Sequence, residues 1–229
     1  MDEERARLIA AGALAATALI AFILVIGAPR EGRAPATVSP TALNAVNLQR
    51  FETAAGACRT ALSEAHIEIA RIPDLREARG CGYREAVALT QSLHPYSEPV
   101  TTSCALAAAL VLWERDVVGP AAQRRLRQGV TRIEMAGPAY SCRPIAGRRD
   151  GRMSEHASAN AIDIRGFTLA DGRTLSVAVG WSGTPEERAF LRDVRDGGCA
   201  LFKATLSPDY NRAHRDHLHF DMGAYALCH

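Results

Sequence analysis

The stretch HRDHLHFD, residues 214–221, decides the fold, because it predicts a strand with one apolar and one polar face. Side chains alternate along a strand, so Leu218 and Phe220 can pack into a core. His217 and His219 then lie side by side on the open face. The chain has seven histidines, and this short stretch displays two of them together on the surface of a sheet.

A second stretch, SEHASANAIDI at residues 154–164, predicts a partner for that strand. Ile162 and Ile164 would be buried, which turns Asp163 to the opposite face. Antiparallel pairing could then bring Asp163 beside the histidines of the other strand. His156 would fold back from the preceding loop and join them.

His156, Asp163 and His219 form a donor set that is typical of a catalytic zinc site. Two histidines and one carboxylate suit Zn²⁺ with a fourth position left for water, whereas structural zinc sites usually have four protein ligands. Zinc lowers the pKa of a bound water towards 7, and a nearby base must take its proton. A lone H-x-H motif is usually unrelated to metals, so the hypothesis depends on both stretches together.

The remaining pattern predicts an α+β fold, in which helices flank a small antiparallel sheet that carries the site. Three segments have helical signals: 102–117 with Thr102 or Ser103 as its cap, 120–128 after Pro120, and 184–198 behind a capping box. Four segments read as strands, namely 130–136, 161–165, 176–181 and 217–222.

The apolar run LIAAGALAATALIAFILVIGA, residues 8–28, predicts one N-terminal transmembrane helix ahead of the sheet domain. At about 1.5 Å per residue the run covers roughly 30 Å, the thickness of a bilayer core. The hydrophobic region of a signal peptide is shorter, about 7–15 residues, so a retained anchor is favoured. Residues 1–7 would be a short cytoplasmic tail, 29–45 a Pro-containing tether, and 46–229 a single globular domain.

The six cysteines all follow the apolar run, and none forms a C-x-x-C pair. An even number suits disulfides formed in an oxidising compartment rather than free thiols in the cytosol. The anchor and the cysteines together predict an inner-membrane protein with a single span and its domain in the periplasm. Six cysteines allow fifteen pairings, and the working prediction is the sequential one: Cys58–Cys81, Cys104–Cys142 and Cys199–Cys228.

The net charge of +2 and the pI of about 8.3 argue against an electrostatic nucleic-acid binder. The chain also lacks a dense Lys/Arg block with interleaved aromatic residues, so nucleic acid is excluded as a partner. Nothing in the pattern indicates an oligomeric state.

The motifs resemble those of known families. The pattern S-x-H-x-x-A-x-A-x-D at residues 154–163 resembles the S-x-H-x-x-G-x-A-x-D motif of zinc peptidases. That group includes D-Ala-D-Ala carboxypeptidases, lysostaphin-like enzymes and penicillin-insensitive murein endopeptidase, and H-x-x-H-x-H at residues 214–219 is similar to the last of these. More narrowly, four segments resemble the bacterial extensin-like C-terminal domain family: YSCRPI at 140–145, MSEHA at 153–157, ANAIDI at 159–164 and the stretch 211–221.

The resemblance implies roles for six residues: His156, Asp163 and His219 as zinc ligands, His217 as the base near the metal, His214 as a hydrogen-bonding support of the site, and Arg143 as the stabiliser of the oxyanion. Arg143 could instead be a surface arginine beside a disulfide. Carboxypeptidase relatives use a glutamate as base where this chain has Asp216, but strand alternation turns Asp216 away from His219, so His217 is preferred. Ala159 replaces the motif glycine, a change that is tolerable unless the backbone there requires a positive φ.

The location and the resemblance together predict a membrane-anchored periplasmic zinc metallopeptidase. Its partner would be a peptidoglycan peptide, and it would hydrolyse amide bonds in stem peptides or crossbridges, with endopeptidase favoured over carboxypeptidase activity. The alternative is a catalytically inactive cell-wall-binding module of the same fold.

Overall fold

The computed structural model describes residues 42–145 and 151–229. The predicted cytoplasmic tail, the anchor and the tether up to residue 41 lie outside the described residues. Among the residues that are described, no helix is both long enough and apolar enough to cross a bilayer.

The described residues contain six α-helices. They are α1 (Leu48–Phe51), α2 (Ala55–Glu64), α3 (Cys104–Trp113), α4 (Gly119–Leu126), α5 (Val177–Gly180) and α6 (Pro185–Gly198).

The described part of the chain also contains eleven strands in three sheets. The strands are β1 (Glu68–Arg71), β2 (Leu75–Arg76), β3 (Gly82–Tyr83), β4 (Val87–Gln91), β5 (Val100–Thr102), β6 (Val130–Met135), β7 (Ala161–Leu169), β8 (Thr174–Ser176), β9 (Ala204–Leu206), β10 (Leu218–Asp221) and β11 (Leu227–Cys228). The largest sheet has the order β11–β9–β10–β7–β6, with β8 also paired to β7. A second sheet has the order β1–β4–β5, and β2 and β3 pair with each other. Every pair is antiparallel except β11–β9, so the predicted α+β class with small antiparallel sheets is confirmed.

The three predicted helices are present at α3, α4 and α6. Every residue of α3 is buried, as expected for a helix that is apolar on all sides. The Ser103 side chain caps α3 by accepting a hydrogen bond from the amide of Leu106. Helix α4 ends before the predicted stop at Gly129, because Arg127 adopts a left-handed backbone conformation.

The predicted strand at 176–181 is wrong, because β8 ends at Ser176 and the following residues form α5. The hydroxyl of Ser176 accepts a hydrogen bond from the amide of Val179 and so begins a helical turn. At Gly180 the turn packs closely: a Cβ there would lie 3.0 Å from Leu191 of α6. The alternating valines that resembled a strand are therefore Val177, which is buried, and Val179, which is exposed on the helix.

Two of the three predicted disulfides are wrong. The bonds are Cys58–Cys104, Cys81–Cys142 and Cys199–Cys228, and only the last matches the sequential pairing. Helices α2 and α3 pack together, which brings the Cα atoms of Cys58 and Cys104 to 6.1 Å. Cys81 lies just before β3, where the segment after β6 approaches it, with 5.6 Å between the Cα atoms of Cys81 and Cys142.

The sheet that holds β7 and β10 has one face against the helices. Phe220 of β10 contacts the aromatic ring of Trp113 in α3, with 5.0 Å between the ring centroids. Ile162, Ile164 and Leu218 are fully buried on the same side. The predicted alternation along both strands is thus confirmed, and the opposite face is left to Asp163 and the histidines.

Candidate metal centre

His156, Asp163 and His219 converge on the open face of the sheet. Their donor atoms all lie within 4.8 Å of one another. Asp163 is in the middle: its Oδ2 is 3.2 Å from His156 Nε2, and its Oδ1 is 2.8 Å from His219 Nδ1. The structure therefore brings together the three residues that the sequence predicts as zinc ligands.

The strand register explains why Asp163 and His219 meet. In the antiparallel pairing of β7 with β10, His219 lies directly opposite Asp163. Side chains that face each other across two strands are on the same side of the sheet and about 5 Å apart at Cβ. If β10 slipped by one residue against β7, His219 would turn to the other face of the sheet, away from Asp163.

His156 comes from a 3₁₀ turn, Glu155–Ser158, that precedes β7 and is capped by Ser154. Its Nδ1 is 3.0 Å from the carbonyl oxygen of Ala139. A carbonyl can only accept, so Nδ1 carries the proton and Nε2 presents a lone pair. Nε2 is buried and has no hydrogen-bond partner, although Asp163 Oδ2 is close to it. A buried lone pair beside a carboxylate is an arrangement that suits a bound cation.

His219 lies between two carboxylates. Its Nδ1 faces Asp163, and its Nε2 is 3.0 Å from Asp221 Oδ2. Burial by itself lowers the pKa of His219, but the hydrogen bonds to Asp163 and Asp221 outweigh it and raise the pKa to about 9. Burial likewise acts to raise the pKa of Asp163, yet the neighbouring His156 and His219 hold it well below its ordinary value. The contacts between His219 and Asp163 thus favour the positively charged imidazole and the negatively charged carboxylate.

His217 lies at the edge of this set, one residue before β10 begins. Its Nε2 is 3.7 Å from Asp163 Oδ1. On the other side of the ring, Nδ1 is 2.9 Å from Asp216 Oδ1. The Asp216 carboxylate accepts a hydrogen bond from Nδ1, so the lone pair of Nε2 points towards the three candidate ligands. Asp216 therefore contacts His217 and is not itself one of the converging donors.

His214 ends a short 3₁₀ turn, Arg212–His214, and packs against the other histidines. Its ring centroid is 5.2 Å from that of His217 and 5.8 Å from that of His219. Burial, followed by the charges of these two rings, lowers the pKa of His214 to about 4. His214 is consequently neutral at physiological pH and fixed in place by Asn211, whose Oδ1 is 2.9 Å from its Nδ1.

Arg143 approaches the centre from the segment after β6. Its Nη2 is 3.5 Å from Asp163 Oδ2, and its side chain is 50% exposed. Two backbone hydrogen bonds fix this segment beside the His156 turn: Ser141 N donates to His156 O, and Ser154 N donates to Arg143 O. Arg143 therefore lies at the mouth of the site, where it can also reach a bound molecule.

A family model described as extensin-like protein C-terminus matches residues 56–229. The chain belongs to this family. No curated protein matches the chain, and no solved structure does. The family match covers all six candidate site residues.

One position in this extensin-like domain departs from the motif of the zinc peptidases and has a structural cost. Ala159 has φ +54°, the left-handed conformation that glycine adopts freely and that costs other residues roughly 1–2 kcal/mol. The backbone at position 159 therefore has the positive φ at which alanine is less favourable than the glycine of the motif. The carbonyl of Ala159 accepts hydrogen bonds from Ser103 N at 2.7 Å and Thr102 Oγ1 at 3.2 Å, which hold the backbone there.

Sequence reasoning did not identify Asp221 as a residue of the extensin-like site. The signal was available, because Asp221 follows His219 by two positions and so shares its face of β10. The alternation that connects His217 with His219 extends to Asp221. The Ala139 carbonyl, by contrast, leaves no trace in the residue type, since any residue carries one.

Proposed function

We propose that His156, Asp163 and His219 bind one Zn²⁺ and that this extensin-like domain is a peptidase of peptidoglycan. The observation that carries the proposal is the buried Nε2 lone pair of His156, which has no hydrogen-bond partner and lies among two further metal-ligating groups. Two imidazole nitrogens and one carboxylate suit zinc and leave a coordination position open. When bound, zinc would supply an activated water and polarise the carbonyl of the scissile amide.

His217 is the residue best placed to move a proton. Nδ1 of His217 donates a hydrogen bond to Asp216, so the basic Nε2 faces the three candidate ligands, 3.7 Å from Asp163 Oδ1. A base in this position can take a proton from the attacking water and deliver it to the leaving amine. The ring of His214 packs against that of His217, and its Nδ1 contacts Asn211, so we propose support by packing where the motif implied a hydrogen bond to the site.

Arg143 supplies positive charge at the mouth of the site. Its guanidinium is half exposed and adjacent to Asp163, so a substrate carbonyl that approaches the donor set comes within its reach. A cation aimed at the oxygen on which negative charge develops stabilises the transition state of amide hydrolysis. This role accounts for an arginine that points towards the donor set rather than away from it.

Peptidoglycan as the substrate is supported by location and by resemblance. Three disulfides suit an oxidising compartment, and the apolar run at 8–28 favours an anchor in the inner membrane that would place the domain in the periplasm. The motifs at 154–163 and 214–219 resemble those of peptidases that cut cell-wall peptides. Amide bonds of stem peptides or crossbridges are therefore the proposed target, with endopeptidase activity favoured.

The substitution His217→Ala distinguishes a peptidase from an inactive cell-wall-binding module. A peptidase should keep its zinc and lose roughly 10²–10⁴-fold in turnover, because only the base is removed. A binding module should be unaffected in all its properties. The measurement is mass spectrometry of muropeptides incubated with the full-length protein, with and without chelator. His66→Ala, which changes an exposed histidine outside the site, is the matched control. Full hydrolysis by the His217→Ala variant would contradict the proposal.

A further inference from the structure

Both ring nitrogens of His219 meet a carboxylate, whereas a histidine that binds a metal keeps only one ring proton to donate. Nδ1 is 2.8 Å from Asp163 Oδ1, and Nε2 is 3.0 Å from Asp221 Oδ2. A neutral histidine that binds a metal uses one nitrogen as ligand and donates the proton on the other to a fixed acceptor. The carboxylates of Asp163 and Asp221, which contact the two ring nitrogens of His219, therefore have different roles.

Asp163 marks the metal side of the ring. Its Oδ2 is 3.2 Å from His156 Nε2 and its Oδ1 is 2.8 Å from His219 Nδ1, and these three residues form the converging set. Asp221 lies beyond the opposite edge of the ring and outside that set. Nδ1 is consequently the ligand atom of His219, and the proton belongs on Nε2.

Asp221 is itself held rigidly. It is the last residue of β10, is almost fully buried, and accepts a hydrogen bond from Gly223 N at 2.8 Å through Oδ1. Its backbone carbonyl accepts from the amide of Lys203. One carboxylate oxygen is thus committed to Gly223, and the other is left for His219.

We infer that Asp221 is a positioning residue that fixes the His219 ring and its Nε2-protonated tautomer, so that Nδ1 is free to bind the metal. The inference rests on the proposed zinc site. It assigns opposite tautomers to the two histidine ligands. His156 donates from Nδ1 to the Ala139 carbonyl and binds through Nε2, whereas His219 donates from Nε2 to Asp221 and binds through Nδ1.

The substitution Asp221→Asn tests this role because an amide has only one oxygen. If that oxygen accepts from Gly223 N, the NH₂ group faces His219 Nε2, which must then lose its proton and leave Nδ1 blocked. If the amide turns round, its NH₂ group faces the Gly223 N–H, and two donors oppose each other. Either arrangement weakens zinc binding, and we expect the affinity to fall about 10–100-fold.

The experiment measures the zinc dissociation constant of the full-length protein by competition with a chromogenic chelator. Asp196→Asn, which makes the same chemical change at an exposed aspartate of α6, should bind zinc as the wild type does. Asp221→Asn should bind it about 10–100-fold more weakly, and an unchanged dissociation constant would overturn the inference. Absence of zinc binding by the wild type would overturn the proposed zinc site and this inference with it.

A second readout does not need the variant to fold. In the zinc-loaded wild-type protein labelled with ¹⁵N at histidine, the nitrogen chemical shifts distinguish protonated from metal-bound ring nitrogens. We expect His219 to be bound through Nδ1 and His156 through Nε2. Zinc bound to His219 through Nε2 would contradict the role of Asp221 while leaving the zinc site itself intact.

Discussion

Single residues decide the chemistry of the candidate site through the placement of protons. Nδ1 of His156 donates a hydrogen bond to the Ala139 carbonyl, and Nδ1 of His217 donates one to the Asp216 carboxylate. In each ring the lone pair is therefore on Nε2, which faces Asp163. An imidazole ring is a ligand or a base only on its unprotonated nitrogen. The acceptors beside both rings thus leave Nε2 available, as the proposed roles of His156 as a zinc ligand and His217 as a base require.

The proposed role of Arg143 can be separated from that of an ordinary surface arginine. We expect Arg143→Ala to lower kcat on a muropeptide about 10²–10³-fold, since it removes a charge that acts mainly in the transition state. Zinc content should not fall, because the arginine is not a donor to the metal. The measurement is steady-state kinetics together with the metal content of the same preparation.

Arg152→Ala is the matched control for Arg143, since the guanidinium of Arg152 lies over the ring of Tyr225, 4.6 Å from its centroid. Its kinetics should resemble those of the wild type. Equal rates for the Arg143→Ala variant and the wild type would place Arg143 outside the mechanism.

Elements of secondary structure show which patterns are sufficient for prediction. The strand β10 and the capping box of α6 are specified locally, by alternation and by the reciprocal hydrogen bonds of Thr184 and Glu187, and both are predictable. The segment 176–181 is not, because its valines fit either a strand or a helical turn and the choice depends on packing of Gly180 against α6. The His156 turn is predictable only in outline, since Ala139, which orients the ring, comes from a distant segment.

The junction of α3 with α4 carries a buried carboxylate whose effect depends on pH. Glu114 is fully buried and accepts hydrogen bonds from Ser92 Oγ, Tyr96 OH and the amide of His94. In the part of the chain that is described, no cation pairs with it. Burial raises the pKa of Glu114, and the hydrogen bonds from Tyr96, Ser92 and His94 only partly oppose this.

We expect Glu114→Gln to become more stable, relative to the wild type, as pH rises. A raised pKa in the folded state means that the contribution of Glu114 to stability is fully present below its ordinary value of 4.5. That contribution is lost as pH rises through the folded pKa, by about 1.4 kcal/mol for each pH unit that separates the unfolded and folded pKa values. Glutamine keeps an acceptor for the His94 amide and does not ionise.

Urea unfolding of both proteins at pH 4 and pH 8 measures this difference in the free energy of unfolding. Glu68→Gln, the same change at an exposed position of β1, is the matched control. A difference between Glu114→Gln and the wild type that is the same at both pH values would refute the expectation.

At the scale of the whole molecule, the fold depends on contacts between segments that are distant in sequence. Family membership over residues 56–229 and the α+β class follow from motifs and periodicity, which the sequence displays directly. Disulfide pairing does not, because Cys58 meets Cys104 only through the packing of α2 on α3. The bond Cys81–Cys142 similarly joins the β2–β3 hairpin to the segment that carries Arg143 and Ala139, and so helps to hold the mouth of the site.

The proposed centre binds one zinc ion per chain, which metal analysis tests directly. Full-length protein is stripped with chelator, reloaded with zinc, freed of excess metal and analysed by inductively coupled plasma mass spectrometry. We expect about one zinc per chain in the wild type and in His66→Ala, and close to none in His156→Ala and His219→Ala, because each of the latter removes a ligand. A wild-type protein without zinc, or full zinc content in both ligand variants, would contradict the proposed zinc centre.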